Sequence, residues 1–204
     1  MTTTLSKLVT YEEFVEWLPN DGKRYELHDG VIVEMSQPTG KHEKVTSFLT
    51  LELAVQVRSL GVRYLLPKTA LVKPPEKDSG YIPDVLLVNS DNLPNEPLWE
   101  KESTVTQPAS IPLVIEVVST NWRDDYHKKF ADYEEMGIPE YWIADYAALG
   151  GRDFLGNPKQ PALFVCELVD FEYVRTLFRG NTPIVSPTFP QLNLTAQQVF
   201  DAAL

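Results

Sequence analysis

Cysteine is nearly absent from this chain of 204 residues. Cys166 stands alone, which excludes an intramolecular disulfide and a cysteine-built zinc site. It lies in Ala-Leu-Phe-Val-Cys-Glu-Leu-Val, a strand-like run, so it reads as a buried, inert thiol, and a reduced, cytoplasmic setting is expected. Long apolar runs are missing too. No stretch approaches the roughly 20 residues that span a bilayer, so no membrane partner is expected. The opening Met-Thr-Thr-Thr-Leu-Ser-Lys lacks the apolar core of a signal peptide. Positive charge is in short supply, with 18 Lys and Arg against 29 Asp and Glu and a net charge of −11. That argues against nucleic acid binding over the whole surface but leaves room for a local basic groove. There is no internal repeat, low-complexity stretch or interdomain linker, so a single domain over residues 1–204 is expected.

Punctuation along the chain is clear. Thr10-Tyr-Glu-Glu13 spells a capping box that opens a helix to about Leu18. Asp29-Gly30 between two alternating runs predicts a hairpin with a type I′ turn. Phe48, Leu51 and Val55 recur at helical spacing in a helix over residues 39–60, stopped by Gly61. Strands are expected at 62–66 and 69–73, then at 82–88 and 112–118, with a long loop over 89–110. A helix over 122–136 ends at Gly137 and Pro139, and a strand follows at 140–144. After a loop over 146–161, residues 162–169 and 172–178 read as an antiparallel pair, and Thr195 caps a last short helix. The strand–helix–strand unit predicts parallel neighbours and the hairpins add antiparallel ones. The fold class is therefore α/β or α+β, with helices against a mixed central sheet.

Two carboxylates sit where carboxylates are costly. Asp84 lies in Tyr-Ile-Pro-Asp-Val-Leu-Leu-Val and Glu116 in Ile-Pro-Leu-Val-Ile-Glu-Val-Val, both otherwise buried-strand runs. Alternation puts Glu116 on one face with Val114 and Val118, and Leu113, Ile115 and Val117 on the other. An unpaired buried carboxylate costs several kcal/mol or shifts its pKa, so a metal ion or a cationic side chain should compensate it. Each could also reach water at a strand end. Asp125, Lys129 and Tyr133 follow at i, i+4 and i+8 on one helix face, while Lys128 points elsewhere. Either Asp125 and Lys129 form a surface pair, or this face turns onto the sheet and carries Lys129 to Glu116. Two carboxylates and a lysine suit phosphodiester hydrolysis. Mg²⁺ takes oxygen ligands and activates water, and the lysine stabilises developing charge.

The order of these motifs resembles a known family. Asp84 after Pro83, Glu116 in Val-Ile-Glu-Val-Val-Ser, and Asp125-x3-Lys129-x3-Tyr133-x3-Gly137-Ile-Pro-Glu-Tyr-Trp-Ile-Ala-Asp145 look like the bacterial putative restriction endonuclease family (Uma-type) of the PD-(D/E)XK nuclease superfamily. Arg24-Tyr-Glu-Leu-His-Asp-Gly-Val-Ile-Val-Glu-Met-Ser36 resembles the family's N-terminal signature, and the likeness runs from about residue 10 to 200. The resemblance implies a restriction-endonuclease-like mixed central sheet flanked by helices. It implies Asp84 and Glu116 as catalytic metal ligands for Mg²⁺ or Mn²⁺, Glu26 as an assisting ligand, and His42 as a phosphate contact. The superfamily lysine usually stands two residues after the second acid, where this chain has Val118. The family pattern places it on the next helix, at Lys129.

Three functions remain open at this level. One is a Mg²⁺-dependent DNA endonuclease, for which a homodimer would bring two symmetric sites to two strands. Another is a catalytically inactive nuclease-fold chain acting as a binding or assembly module. The last is a carboxylate-pair glycosidase, which needs no lysine. Glu26 could equally be an exposed strand residue, and His42 a structural or solvated one at a helix start.

Overall fold

The computed structural model describes residues 8–204. Residues 1–7, with the expectation about a signal peptide, lie outside the described residues. The Thr10 hydroxyl accepts the Glu13 N–H and the Glu13 carboxylate accepts the Thr10 N–H, which starts α1 (Tyr11–Trp17). β1 (Tyr25–His28) and β2 (Val31–Glu34) close around Asp29 and Gly30, whose φ values of 47° and 79° form the left-handed pair of a type I′ turn. The Thr39 hydroxyl caps α2 (Gly40–Leu60), and Gly61 ends it at φ 64°.

The next strands are shorter than expected and part company. β3 (Tyr64–Leu65) pairs antiparallel with β5 (Val85–Asn89), whereas β4 (Leu71–Val72) belongs to a separate two-stranded sheet. The stretch expected as a loop over 89–110 carries structure of its own. It holds the single-turn α3 (Trp99–Glu102) and β6 (Thr104–Val105), the parallel partner of β4. The buried Glu96 carboxylate organises it by accepting the Thr106 and Gln107 N–H groups and the Thr106 hydroxyl. Nothing in the local pattern signals that carboxylate's role.

β7 (Leu113–Val117) leads into the expected helix, which begins with a wide π-helical turn at Asp124–Lys128 and continues as α4 (Lys129–Met136). Gly137, at φ 84°, ends it before β8 (Glu140–Asp145). The single-turn α5 (Arg152–Leu155) interrupts the expected loop. β9 (Ala162–Val169) and β10 (Glu172–Phe178) pair antiparallel as expected, and α6 (Ala196–Asp201) starts from a Thr195–Gln198 capping box.

The main sheet runs β10-β9-β8-β7-β5-β3, with β7 and β8 parallel and every other pair antiparallel. This is the mixed α+β architecture that the element order predicts. Strand alternation divides the core as expected. Leu113, Ile115 and Val117 pack on one face with residues of α2 and α6, and Val114 and Val118 on the other with residues of α4. The face of α2 differs from the expectation. Val45, Leu49 and Leu53 are buried on the sheet, while Leu51 and Val55 are exposed. Two apolar stripes share this helix, and the sheet's position selects one. Among the described residues no helix is long and apolar enough to cross a membrane.

Candidate functional site

Asp84 and Glu116 meet at the mouth of the central sheet. The β5–β7 register pairs Val85 with Ile115 and Leu86 with Val114, so Asp84, the next residue outward, falls opposite Glu116. The expected strand over 82–88 begins only at Val85, which leaves the Asp84 side chain 17% exposed at the strand end. The Val117 N–H donates to Asp84 Oδ2 at 2.8 Å and holds that carboxylate beside β7. Glu116 is fully within the ladder and 2% exposed.

The inward-facing reading of the following helix is correct. Lys129 is 2% exposed, and its Nζ donates at 3.0 Å to both Glu116 Oε1 and Glu26 Oε1. One turn on, the Tyr133 hydroxyl donates to the same Glu116 oxygen at 3.1 Å. Lys128 points away, to Asp29 and Asp132.

Glu26 comes from far off in sequence. A two-way backbone bridge between Leu27 and Gly80 leans the β1–β2 hairpin against the entrance to β5. Gly80 is required there, since a Cβ would stand 2.8 Å from the Tyr11 ring. Glu26 is therefore buried, and the exposed-strand alternative is overturned. Its Oε1 accepts from Lys129 and from the Ile82 N–H at 2.9 Å, and its Oε2 pairs with His28 Nε2 at 2.8 Å. Both oxygens are taken.

Two residues carry more than the sequence disclosed. His42 is buried, and its Nε2–H donates to the Val117 carbonyl at 2.8 Å while lying 3.3 Å from Asp84 Oδ2. Its Nδ1 faces the Thr46 hydroxyl. Asp125, 5% exposed, faces the same pocket, and its carboxylate makes no hydrogen bond with a described residue. Its backbone carbonyl accepts from the Tyr141 hydroxyl. The only local signal was its place four residues before Lys129, which fits a surface pair equally well.

Charge is unevenly distributed over the cluster. Burial opposes the charge on Lys129, but Glu116, Glu26 and Asp125 outweigh it and hold the ammonium well above the usual lysine range. Burial also opposes ionisation of Glu26, yet Lys129, His28 and the Ile82 amide hold it down at about 2. Burial pushes Glu116 up to about 7 against the pull of Lys129, with Asp84 and Glu26 adding repulsion. Burial raises Asp125 as well, and Lys129 does not offset it. For His42, burial pulls the ring down, but Asp84 and the Val117 carbonyl outweigh it and leave it raised. One lysine cannot neutralise this many carboxylates in a poorly hydrated space.

A pocket of about 290 Å³ opens over the cluster, with Arg24, His42, Asp84, Glu116, Asp125 and Lys129 in its lining. Among the described residues no group of three or more His, Cys, Asp or Glu side chains stands arranged to hold a metal ion. The donor chemistry fits a less demanding hard cation, since Mg²⁺ binds through one or two carboxylates and keeps several waters. Glu116 Oε2 and both Asp125 carboxylate oxygens are free of protein hydrogen bonds among the described residues, the condition in which such a cation would find them.

A family model described as Uma2, putative restriction endonuclease, matches residues 11–197. Among solved structures, the chain is similar to a putative nuclease belonging to DUF820 from Anabaena variabilis. The two are 18% identical with a TM-score of 0.74, and the match covers 96% of this chain and 99% of that one. The likeness extends to the whole nuclease-like fold, with its six-stranded mixed sheet flanked by helices. No curated protein matches the chain.

Proposed function

The chain belongs to the Uma2 putative restriction endonuclease family, and on that premise we propose that it hydrolyses DNA phosphodiester bonds in the pocket floored by Asp84, Glu116 and Lys129, with Mg²⁺ or Mn²⁺ as cofactor. The observation that carries this reading is convergence. Two facing strand positions, a distant hairpin and a crossover helix bring Asp84, Glu116, Glu26 and Lys129 together at the sheet mouth.

Asp84 and Glu116 would hold the cation. Bound there, it would polarise the scissile phosphoryl oxygen and lower the pKa of a coordinated water. As a water oxygen bonds to phosphorus and the ester oxygen leaves, negative charge grows on the phosphoryl oxygens. Lys129 stays protonated in its carboxylate surroundings, so it serves as a charge-stabilising donor and not as a base. Glu26 keeps that ammonium at the site and is a weaker candidate for direct ligation, since both its oxygens are engaged. His42 acts through Asp84, steadying the carboxylate from behind. A homodimer would offer one such site to each strand of a duplex.

Plasmid nicking and Mn²⁺ calorimetry test this together. Lys129→Met should slow nicking by on the order of 10²–10³, as loss of a charge-stabilising donor does. Its Mn²⁺ affinity should hold or tighten, because a positive charge has left the site. Asp84→Asn with Glu116→Gln should lose Mn²⁺ binding. A Lys129→Met chain that nicks at the wild-type rate would falsify the assignment of Lys129. A wild-type chain that neither binds Mn²⁺ nor nicks DNA would favour the second reading, an inactive nuclease-fold module. The complete ion pairing of Lys129 and the net charge of −11 lend that reading support.

A further inference from the structure

On the outer side of the turn that presents Asp125 to the pocket lies a cluster of opposite character. Arg123 lies over the Trp122 ring at 4.4 Å, and Trp122 packs on Tyr126 and His127 at 6.0 Å each. His127 meets Phe154 at 5.5 Å. Arg175, from the edge strand β10, lies 5.3 Å from the centre of the Phe154 ring and 5.1 Å from that of Phe130. The π-helical turn, α5 and β10 thus bring two arginines and a continuous aromatic floor to one surface. Arg123, His127 and Arg175 are all exposed.

Neither arginine side chain makes an ion pair or a hydrogen bond with any described residue; each guanidinium rests on an aromatic face. Asp153, in the neighbouring α5 turn, pairs with neither. An aromatic support restricts a guanidinium's rotamers without satisfying its donors, which prepares it for a planar, multiply accepting anion. Other arginines, among them Arg58 and Arg152, also lack an ion pair among the described residues; what sets Arg123 and Arg175 apart is the aromatic face beneath each. The pocket lining includes Asn121, Asp124 and Asp125, on the same turn as Trp122 and Arg123. Trp122 and Arg123 thus directly adjoin residues of the pocket lining.

We propose that Arg123 and Arg175, fixed on Trp122, Phe130 and Phe154, form the docking surface for the phosphate backbone of the duplex DNA that enters the pocket. The proposal rests on the nuclease reading but concerns binding, so its test is independent of cleavage. The free arginine edges suit closely spaced phosphates better than an acidic peptide, whose charges are sparser and carried on flexible side chains.

The test is fluorescence anisotropy of a labelled DNA duplex titrated with the full chain in calcium buffer over a range of salt. Arg123→Gln with Arg175→Gln should weaken binding at least ten-fold and flatten the slope of log affinity against log salt by about two. Arg58→Gln serves as the control, since Arg58 is also exposed and, among the described residues, has neither a side-chain partner nor an aromatic ring beneath it, and lies at the far end of α2. It should bind DNA as the wild type does. Phe154→Leu, which keeps both charges but removes one support, should weaken binding less while leaving the salt slope unchanged. Equal losses in the Arg58 and Arg123/Arg175 variants, or no loss in either, would overturn the docking surface. So would wild-type binding to an acidic peptide or anionic vesicles in place of DNA. If wild type binds DNA through these arginines yet never nicks it in magnesium, the surface stands and the catalytic reading falls.

Discussion

Lys129 carries its charge between two carboxylates in a space that water barely reaches, and the acids around it do not share that charge equally. Glu26 has the lysine, a histidine and a backbone amide, so it ionises easily. Glu116 shares one oxygen between Lys129 and Tyr133; burial, with the negative charges of Asp84 and Glu26 adding to it, pushes it up to about 7 from an ordinary value of 4.5. The sign of its linkage follows. Between about pH 4.5 and 7 the unfolded chain gives up this proton while the folded chain keeps it, so this group's contribution makes the fold less stable as pH rises through that window. Glu116→Gln removes that dependence. Its stability relative to wild type should therefore improve between pH 5 and pH 8, by up to about 3 kcal/mol for a shift of this size. Urea unfolding at the two pH values measures it, and parallel pH dependences would show that Glu116 titrates normally.

At the scale of elements, α2 shows how a helix with two apolar stripes resolves its choice. Val45, Leu49 and Leu53 meet the sheet, whereas Leu51 is 66% exposed. Leu49→Ala should cost about 2–5 kcal/mol, as emptying a packed core position does. Leu51→Ala should stay within about 0.5 kcal/mol. Denaturant titration compares them, and a reversed order would mean that the helix packs through its other stripe. The turn ahead of α4 is the other decisive element. A π-helical turn is an uncommon feature that recurs at functional sites. Here the turn and the residues that flank it carry Asp125 and Lys129 inward and Arg123 and His127 outward, so one segment borders both the acidic pocket and the aromatic surface.

For the whole molecule, the net charge of −11 and a pocket floored by carboxylates set a condition on any polyanionic substrate. Phosphate is repelled from such a pocket until a divalent cation neutralises it. Duplex binding should therefore be weak in EDTA and tighten at least ten-fold on adding calcium, a hard cation that takes the same oxygen ligands. The response should vanish in the Asp84→Asn, Glu116→Gln chain. Anisotropy in the two buffers reads this directly, and equal affinities would mean that DNA bypasses the pocket. The two surfaces are spatially separate: the carboxylate cluster sits at the sheet mouth, and Arg123 and Arg175, without a side-chain ion pair among the described residues, lie on the aromatic surface beside it.

Much of this was legible in the chain itself, for a local reason. The Thr10 capping box, the Thr195 cap, the Asp29-Gly30 hairpin, the Gly61 and Gly137 stops and the β9–β10 pair depend on residues within a few positions of one another. Glu116 and Lys129 could be matched because strand alternation and helix spacing each have a known period, and a crossover helix must pack back on its sheet. What the sequence determined was therefore the longer elements, the odd carboxylates and the lysine that pairs with Glu116, but not the short elements inside the expected loops. The tertiary structure decided the rest. Glu26 reaches Lys129 across 103 residues of chain only because Leu27 bridges to Gly80. The burial of His42 behind Asp84, the burial of Asp125 beside Lys129 and the choice of stripe on α2 likewise depend on which surfaces meet. Burial and charge belong to the space around a side chain, and that space is built from segments whose sequence separation says nothing about their distance.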